Sequence, residues 1–359
     1  MSFKRRPTRE LELGNVKIGS THPISIQSMT TAHTREVEKC IQQIIGLETA
    51  GCEIVRVAVF NMEDARAIGQ ILPRIRIPLV ADIHFDYKLA LAALEEGVDG
   101  LRINPGNIGS RDRVEAVVEK AAENNIPIRI GINGGSLEKQ LLSKYGKPTA
   151  EAMLESALGH IRILEELDYH NIKVSLKSSE PLMTVESNRL FANECDYPIH
   201  LGVTEAGPPV TGAIKSAAAL SLLLAEGIGD TIRISLTADP VEEIRAAKTL
   251  LESLGLRKQS LRVVSCPTCG RCQSSDMIGL ANRIEKRLSA ISEPLTIAVM
   301  GCAVNGPGEA KEADLGVACG KERGLIFKKG EKQDWVDFAE IEETLVKEAF
   351  KMAKEKSGN

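Results

Sequence analysis

Strand-like and helix-like segments alternate through residues 24–254, and few folds accept that pattern. The strand candidates are 24–28, 54–59, 78–82, 98–104, 126–133, 172–178, 198–204 and 231–237. They are short and β-branched, and Gly, Pro, Asp or Asn brackets most of them. Amphipathic helices, such as 35–50, 86–96, 111–124, 149–167 and 241–253, fill the gaps. Eight such units suit an α/β fold of the (β/α)₈ TIM type. A doubly wound open sheet is the rival, with less weight because no G-x-G-x-x-G follows the first strand. The pattern changes after Leu254, where short strands and two helices form a small α+β module. The expected domains are therefore 1–258, a barrel, and 259–359, the module.

Strand alternation decides which side chains share a face. Helices cover the outside of a barrel, so the apolar set points out and the polar set points in, toward the C-terminal mouth. The inward set carries Arg56, Arg102, Arg129, Lys177 and Arg233, with Asn133 and Thr204 at strand ends. Asp82 and Glu205 are the negative residues at strand ends, and His84 and His200 lie nearby in sequence. Two carboxylates do not neutralise five cations, and an unpaired buried cation costs several kcal/mol. The imbalance implies a bound polyanion, and a diphosphate fits.

Composition narrows the partners. Net charge is −4, and Phe, Trp and Tyr make up 3% of the chain, so neither a basic field nor stacking platforms point to nucleic acid. No apolar run approaches the ~20 residues that span a membrane. The start, MSFKRRPTRELELG, has no apolar core of a signal peptide. A cytoplasmic chain is expected, in which the eight cysteines stay reduced.

Cys266 and Cys269 form C-P-T-C-G, Cys272 extends it to C-x₂-C-x₂-C, and Cys302 sits in a second turn, M-G-C-A-V-N-G-P-G-E. A thiolate knuckle plus a ligand from a second loop encloses Zn²⁺ or an iron–sulfur cluster. A zinc ribbon needs a second C-x₂-C, which the Cys302 turn lacks, so a cluster is favoured. Spacing alone leaves Cys272 and Cys302 open as the third ligand. Cys40, Cys52, Cys195 and Cys319 read as small buried hydrophobes.

These motifs together resemble the bacterial 4-hydroxy-3-methylbut-2-en-1-yl diphosphate synthase family, over essentially the whole chain. The resemblance rests on I-Q-S-M-T from Ile26, V-R-V-A around Arg56, L-R-I-N-P-G-N-I-G from Leu101 and R-I-G-I-N-G-G-S-L from Arg129. It continues through L-K-S-S around Lys177, H-L-G-V-T-E-A-G from His200, S-C-P-T-C-G-R from Ser265 and M-G-C-A-V-N-G-P-G-E-A from Met300. It implies a [4Fe–4S] cluster ligated by Cys266, Cys269, Cys302 and Glu309, with Cys272 a bystander. The implied substrate is 2-C-methyl-D-erythritol 2,4-cyclodiphosphate, opened reductively and dehydrated. On this resemblance Arg56, Arg102, Arg129, Lys177 and Arg233 grip the phosphates, Asn133 and Ser265 add hydrogen bonds, and Glu205 donates a proton to the departing hydroxyl. The electron donor is a flavodoxin or a ferredoxin.

Assembly follows from barrel geometry. The last barrel helix returns to the face opposite the mouth, and residues 255–260 reach only ~20 Å when extended. That roughly matches the length of the returning helix. A module so tethered does not easily cap its own barrel. A head-to-tail homodimer, each module over the partner's mouth, is expected, and the resembling family is dimeric in this manner. Two rivals remain: a pterin-type barrel enzyme with a structural zinc module, and an inert zinc-stabilised scaffold.

Overall fold

The computed structural model describes residues 4–274, 276–291, 293–302 and 306–357. The middle of the Gly-rich turn after Cys302, residues 303–305, lies outside them. The chain divides into two compact units, Met1–Leu256 and Arg257–Asn359.

The first unit opens with a hairpin of β1 (Leu11–Leu13) and β2 (Val16–Ile18), turning at Gly14 with φ of +54°. Eight parallel strands follow: β3 (Ser25–Met29), β4 (Ile54–Ala58), β5 (Leu79–Asp82) and β6 (Gly100–Ile103), then β7 (Ile128–Asn133), β8 (Ile172–Lys177), β9 (His200–Leu201) and β10 (Thr231–Ile232). They pair in the order β8-β7-β6-β5-β4-β3-β10-β9. A bridge between Val174 and Ile199 joins the two ends, so the sheet closes into a barrel and the open-sheet alternative falls. β9 and β10 are shorter than their sequence suggested. Beyond them the regular ladder gives way to single bonds, Thr204 N–H to the Ser178 carbonyl and Arg233 N–H to that of Leu201.

Outward residues such as Val55, Val57, Ile130, Ile132, Val174 and Leu176 are buried beneath the helices. Each such side chain contributes roughly 1.5–3 kcal/mol. The hairpin was not anticipated. Its Leu11, Leu13 and Ile18 pack against Ile54 and Val80, inward residues near the strand starts, and close the barrel's bottom.

The second unit is a five-stranded sheet of β11 (Arg262–Ser265), β12 (Thr296–Met300), β13 (Leu315–Cys319), β14 (Arg323–Lys328) and β15 (Glu331–Asp337), in that order. The first three strands are parallel and the last two antiparallel. Helices Met277–Leu288 and Phe338–Ser357 cover one face. The short helix Gly306–Glu312 sets Ala310 against Ala298, Met300, Ala318 and Phe327 on the other.

Candidate active site

Two cavities, one in each unit, collect most of the residues singled out in the sequence. The first is the barrel mouth, about 130 Å³, lined by Arg56, Asp82, His84, Arg102, Arg129, Asn133, Ser175, Lys177, Thr204, Arg233 and Ser235. Each comes from the inward face of a strand or its C-terminal extension. Parallel pairing places Arg102 beside Asp82 and Arg129, and Asn133 beside Lys177.

The charges at this mouth are unequal. Asp82 meets two guanidiniums, with Arg102 Nη1 at 3.1 Å and Arg56 Nε at 3.7 Å. Burial works to raise the Asp82 carboxyl, but Arg56, His84 and Arg102 outweigh it and hold it well below the usual carboxylate range. Arg233 forks onto Glu243, both contacts at 3.1 Å, and Glu243 also accepts from Ser28 Oγ. Among the described residues Arg129 donates only to Gln27 Oε1, at 2.8 Å, and its buried Nε finds no partner. The Arg56 Nε and Nη2 atoms rest on Met29 Sδ at 3.1 and 2.9 Å, a weak acceptor.

Burial dominates at Arg56, Arg129 and Lys177. It pushes Arg56 down to about 10, and with the neighbouring cations pushes Arg129 and Lys177 well down. An anion with several acceptor oxygens would supply what these groups lack. Packing reserves the room. A β-carbon at Gly202 would stand 2.7 Å from Lys177 Nζ and 2.5 Å from the Arg233 carbonyl oxygen, so only glycine fits beside that ammonium.

Glu205 does not line this cavity. It stands exposed on the loop after β9 with φ of +51°, directly after the lining residue Thr204. His200 lies deeper, fully buried, with Nδ1 2.8 Å from Thr231 Oγ1. Sequence reasoning missed Glu243 and Gln27. Gln27 was findable, since it alternates with Ser25 and Met29 on β3. Glu243 was not, because an acidic residue in a helix's first turn reads as a partner of the helix dipole.

The second cavity, about 280 Å³, is lined by Ser265, Cys266, Cys269, Arg271, Cys272, Cys302 and Glu309 among others. β11 and β12 are parallel neighbours, with Ser265 opposite Val299. Cys266 and Cys302 follow their C-terminal ends, which is why two distant cysteines meet. The Gly301 N–H points at Cys266 Sγ, 3.2 Å away, as a donor to a thiolate would. Hydrogen bonds from the Arg271 backbone N–H and side chain push the Cys269 thiol below its ordinary value. Glu309 rides exposed on the helix Gly306–Glu312. Cys272 also lines the cavity, its Sγ 3.7 Å from the Ser274 carbonyl.

The three thiols that the resemblance implies as cluster ligands, Cys266, Cys269 and Cys302, share this cavity with Glu309. The donor set is soft thiolate with one hard carboxylate, which fits iron.

The comparisons with known proteins decide the family. The model described as the GcpE TIM-barrel domain matches residues 8–248, and that of the GcpE protein C-terminal domain matches 262–351. The chain belongs to the GcpE family. Relatives from Clostridium perfringens and Geobacter sulfurreducens are each 56% identical, over 96% and 97% of this chain and 99% of each of theirs. One from Brevibacillus brevis is 54% identical over 98% of both chains. All three are named 4-hydroxy-3-methylbut-2-en-1-yl diphosphate synthase (flavodoxin). A solved dihydropteroate synthase from Stenotrophomonas maltophilia is 14% identical with a TM-score of 0.49, over 68% of this chain and 98% of its own. GcpE membership makes the chain an iron–sulfur enzyme and removes both rival readings. No helix among the described residues is long and apolar enough to cross a membrane.

Proposed function

We infer that this chain is an iron–sulfur oxidoreductase acting on 2-C-methyl-D-erythritol 2,4-cyclodiphosphate. It delivers two electrons, opens the ring, expels water and releases (E)-4-hydroxy-3-methylbut-2-enyl diphosphate, in the methylerythritol phosphate route to isoprenoids. The observation that carries the reading is the excess of buried cations over carboxylates at the mouth, in a chain 56% identical to synthases of that name.

Arg56, Arg102, Arg129, Lys177 and Arg233 neutralise the diphosphate and fix its orientation, and Asn133 donates a hydrogen bond to it. Charge-assisted bonds in a water-poor barrel are strong because little solvent competes. Glu205 holds the proton for the departing hydroxyl, beside the cavity-lining Thr204. Cys266, Cys269, Cys302 and Glu309 hold a [4Fe–4S] cluster, and Ser265 hydrogen-bonds substrate near it. When bound, that cluster would supply electrons one at a time. Glu309 is the exchangeable ligand, since a carboxylate binds such iron less tightly than thiolate. The donor is a flavodoxin, as the relatives' names say of them, with a ferredoxin the alternative. The working form is a head-to-tail homodimer in the cytoplasm, where thiols stay reduced.

Anaerobic purification tests the reading. The expected protein is brown, absorbs near ~400 nm, contains iron and sulfide, and turns over the cyclic diphosphate with reduced flavodoxin. A colourless zinc protein without turnover would overturn it.

A further inference from the structure

Behind the mouth, Glu138, Ser156 and His160 form a polar cluster whose members do not line the cavity. We infer that the Glu138–His160 pair, braced by Ser156, is a positioning device. It holds the loops after β6 and β7, and so the strand ends bearing Arg102, Asn104 and Asn133, against the diphosphate. This deepens the function proposed above and rests on it.

His160 lies on the helix Ala150–Glu165 and is 5% exposed. Its Nε2 stands 2.6 Å from Glu138 Oε1, which also accepts from Ser156 Oγ at 2.9 Å. Glu138 occupies the N-cap position of the helix Lys139–Tyr145, yet its side chain makes no cap bond. The carboxylate turns instead to the neighbouring helix and ties the loop after β7 to it. Burial works to raise this carboxyl, but the bonds from His160 and Ser156 outweigh it and bring it down to about 2. Glu138 follows Asn133 by five residues, so the tie acts close to a mouth residue.

The other loop rests on the same imidazole. A β-carbon at Gly106 would stand 2.7 Å from His160 Cε1. Asn104 Oδ1 accepts from the Gly106 N–H at 3.0 Å and so caps the short helix Pro105–Ile108 that follows β6. One imidazole thus meets both loops, hydrogen-bonded to the first and packed against the second.

Steady-state kinetics and isotherms with the cyclic diphosphate on the full-length holoenzyme test this. His160→Ala is expected to raise KM and Kd about tenfold while kcat stays within about twofold. His160→Gln keeps a side-chain N–H at similar reach and recovers most of the affinity. Gly106→Ala pushes on the imidazole and weakens binding too, and adding it to His160→Ala costs nothing further, because both act through one group. Unchanged affinity in all variants overturns the inference, as does lower kcat at unchanged KM, which signals only lost folded enzyme. Failure of the wild-type protein to bind the cyclic diphosphate would instead overturn the proposed function, and this inference with it.

Discussion

Lys173 shows at the scale of one residue what the barrel interior costs. It is 2% exposed, and its ammonium has no hydrogen-bond partner among the described residues. Burial, then Arg129, lowers it to about 7, from 10.5 in the unfolded chain. Between those values the unfolded chain holds the extra proton, so stability rises with pH. Below about pH 7 the penalty for burying the charge is fully present. Lys173→Met should therefore stabilise the barrel at pH 6 by about 2 kcal/mol or more, and much less at pH 10. Denaturant midpoints at the two pH values check it, and an equal gain at both would show that Lys173 is not charged there. Lys177 makes a companion case at the mouth itself. Arg56→Ala, Arg102→Ala, Arg129→Ala and Lys177→Ala should each weaken diphosphate binding by ~1.5–3 kcal/mol. Gly202→Ala should also weaken binding without removing a charge, because its methyl would crowd both the Lys177 ammonium and the Arg233 carbonyl. If isotherms show Gly202→Ala binding normally, Lys177 is not where the anion sits.

Among elements, those that face two environments were legible. β4, β7 and β8 alternate apolar residues under helices with polar residues in the barrel, and that period reveals both strand and site. β15 shows no such alternation because nearly all of it is exposed, and it was not foreseen. The β1–β2 hairpin did carry a signal, L-E-L-G-N-V-K-I with a Gly-Asn turn, but three-residue strands are too short for periodicity to speak. Glu309 is a different failure. Nothing in the spacing marks a carboxylate in a Gly-rich turn, and only the family resemblance singled it out. The hairpin's role is testable apart from chemistry. Leu13 is 2% exposed and packs with Ile54 and Val80 at the end of the barrel away from the mouth. Leu13→Ala should destabilise the barrel by ~2–5 kcal/mol through the cavity it leaves. Thermal denaturation should register that loss while KM for the cyclic diphosphate stays put. A changed KM with unchanged Tm would show that the hairpin serves the site rather than the fold.

For the whole molecule, the two candidate sites belong to different compact units, yet reduction requires electrons to reach the bound diphosphate. The helix Pro240–Ser253 runs from the mouth end of the barrel to its bottom, about 21 Å. Residues 254–261 then lead to β11 and stretch to at most about 28 Å. In the head-to-tail dimer proposed above, each cluster unit would serve the partner's barrel. Complementation measures this directly. One parent carries Cys302→Ser and loses its cluster; the other carries Arg56→Ala with Arg102→Ala and loses its phosphate grip. Each alone should be inactive. After subunit exchange, the mixed dimer pairs an intact barrel with the partner's intact cluster at one of its two sites, so activity should return toward half of the wild-type value per mixed dimer. Exchange is followed independently, by differently tagged subunits recovered in one complex. If tagged subunits mix and activity stays absent, each site is built within a single chain, and the linker must be long enough after all.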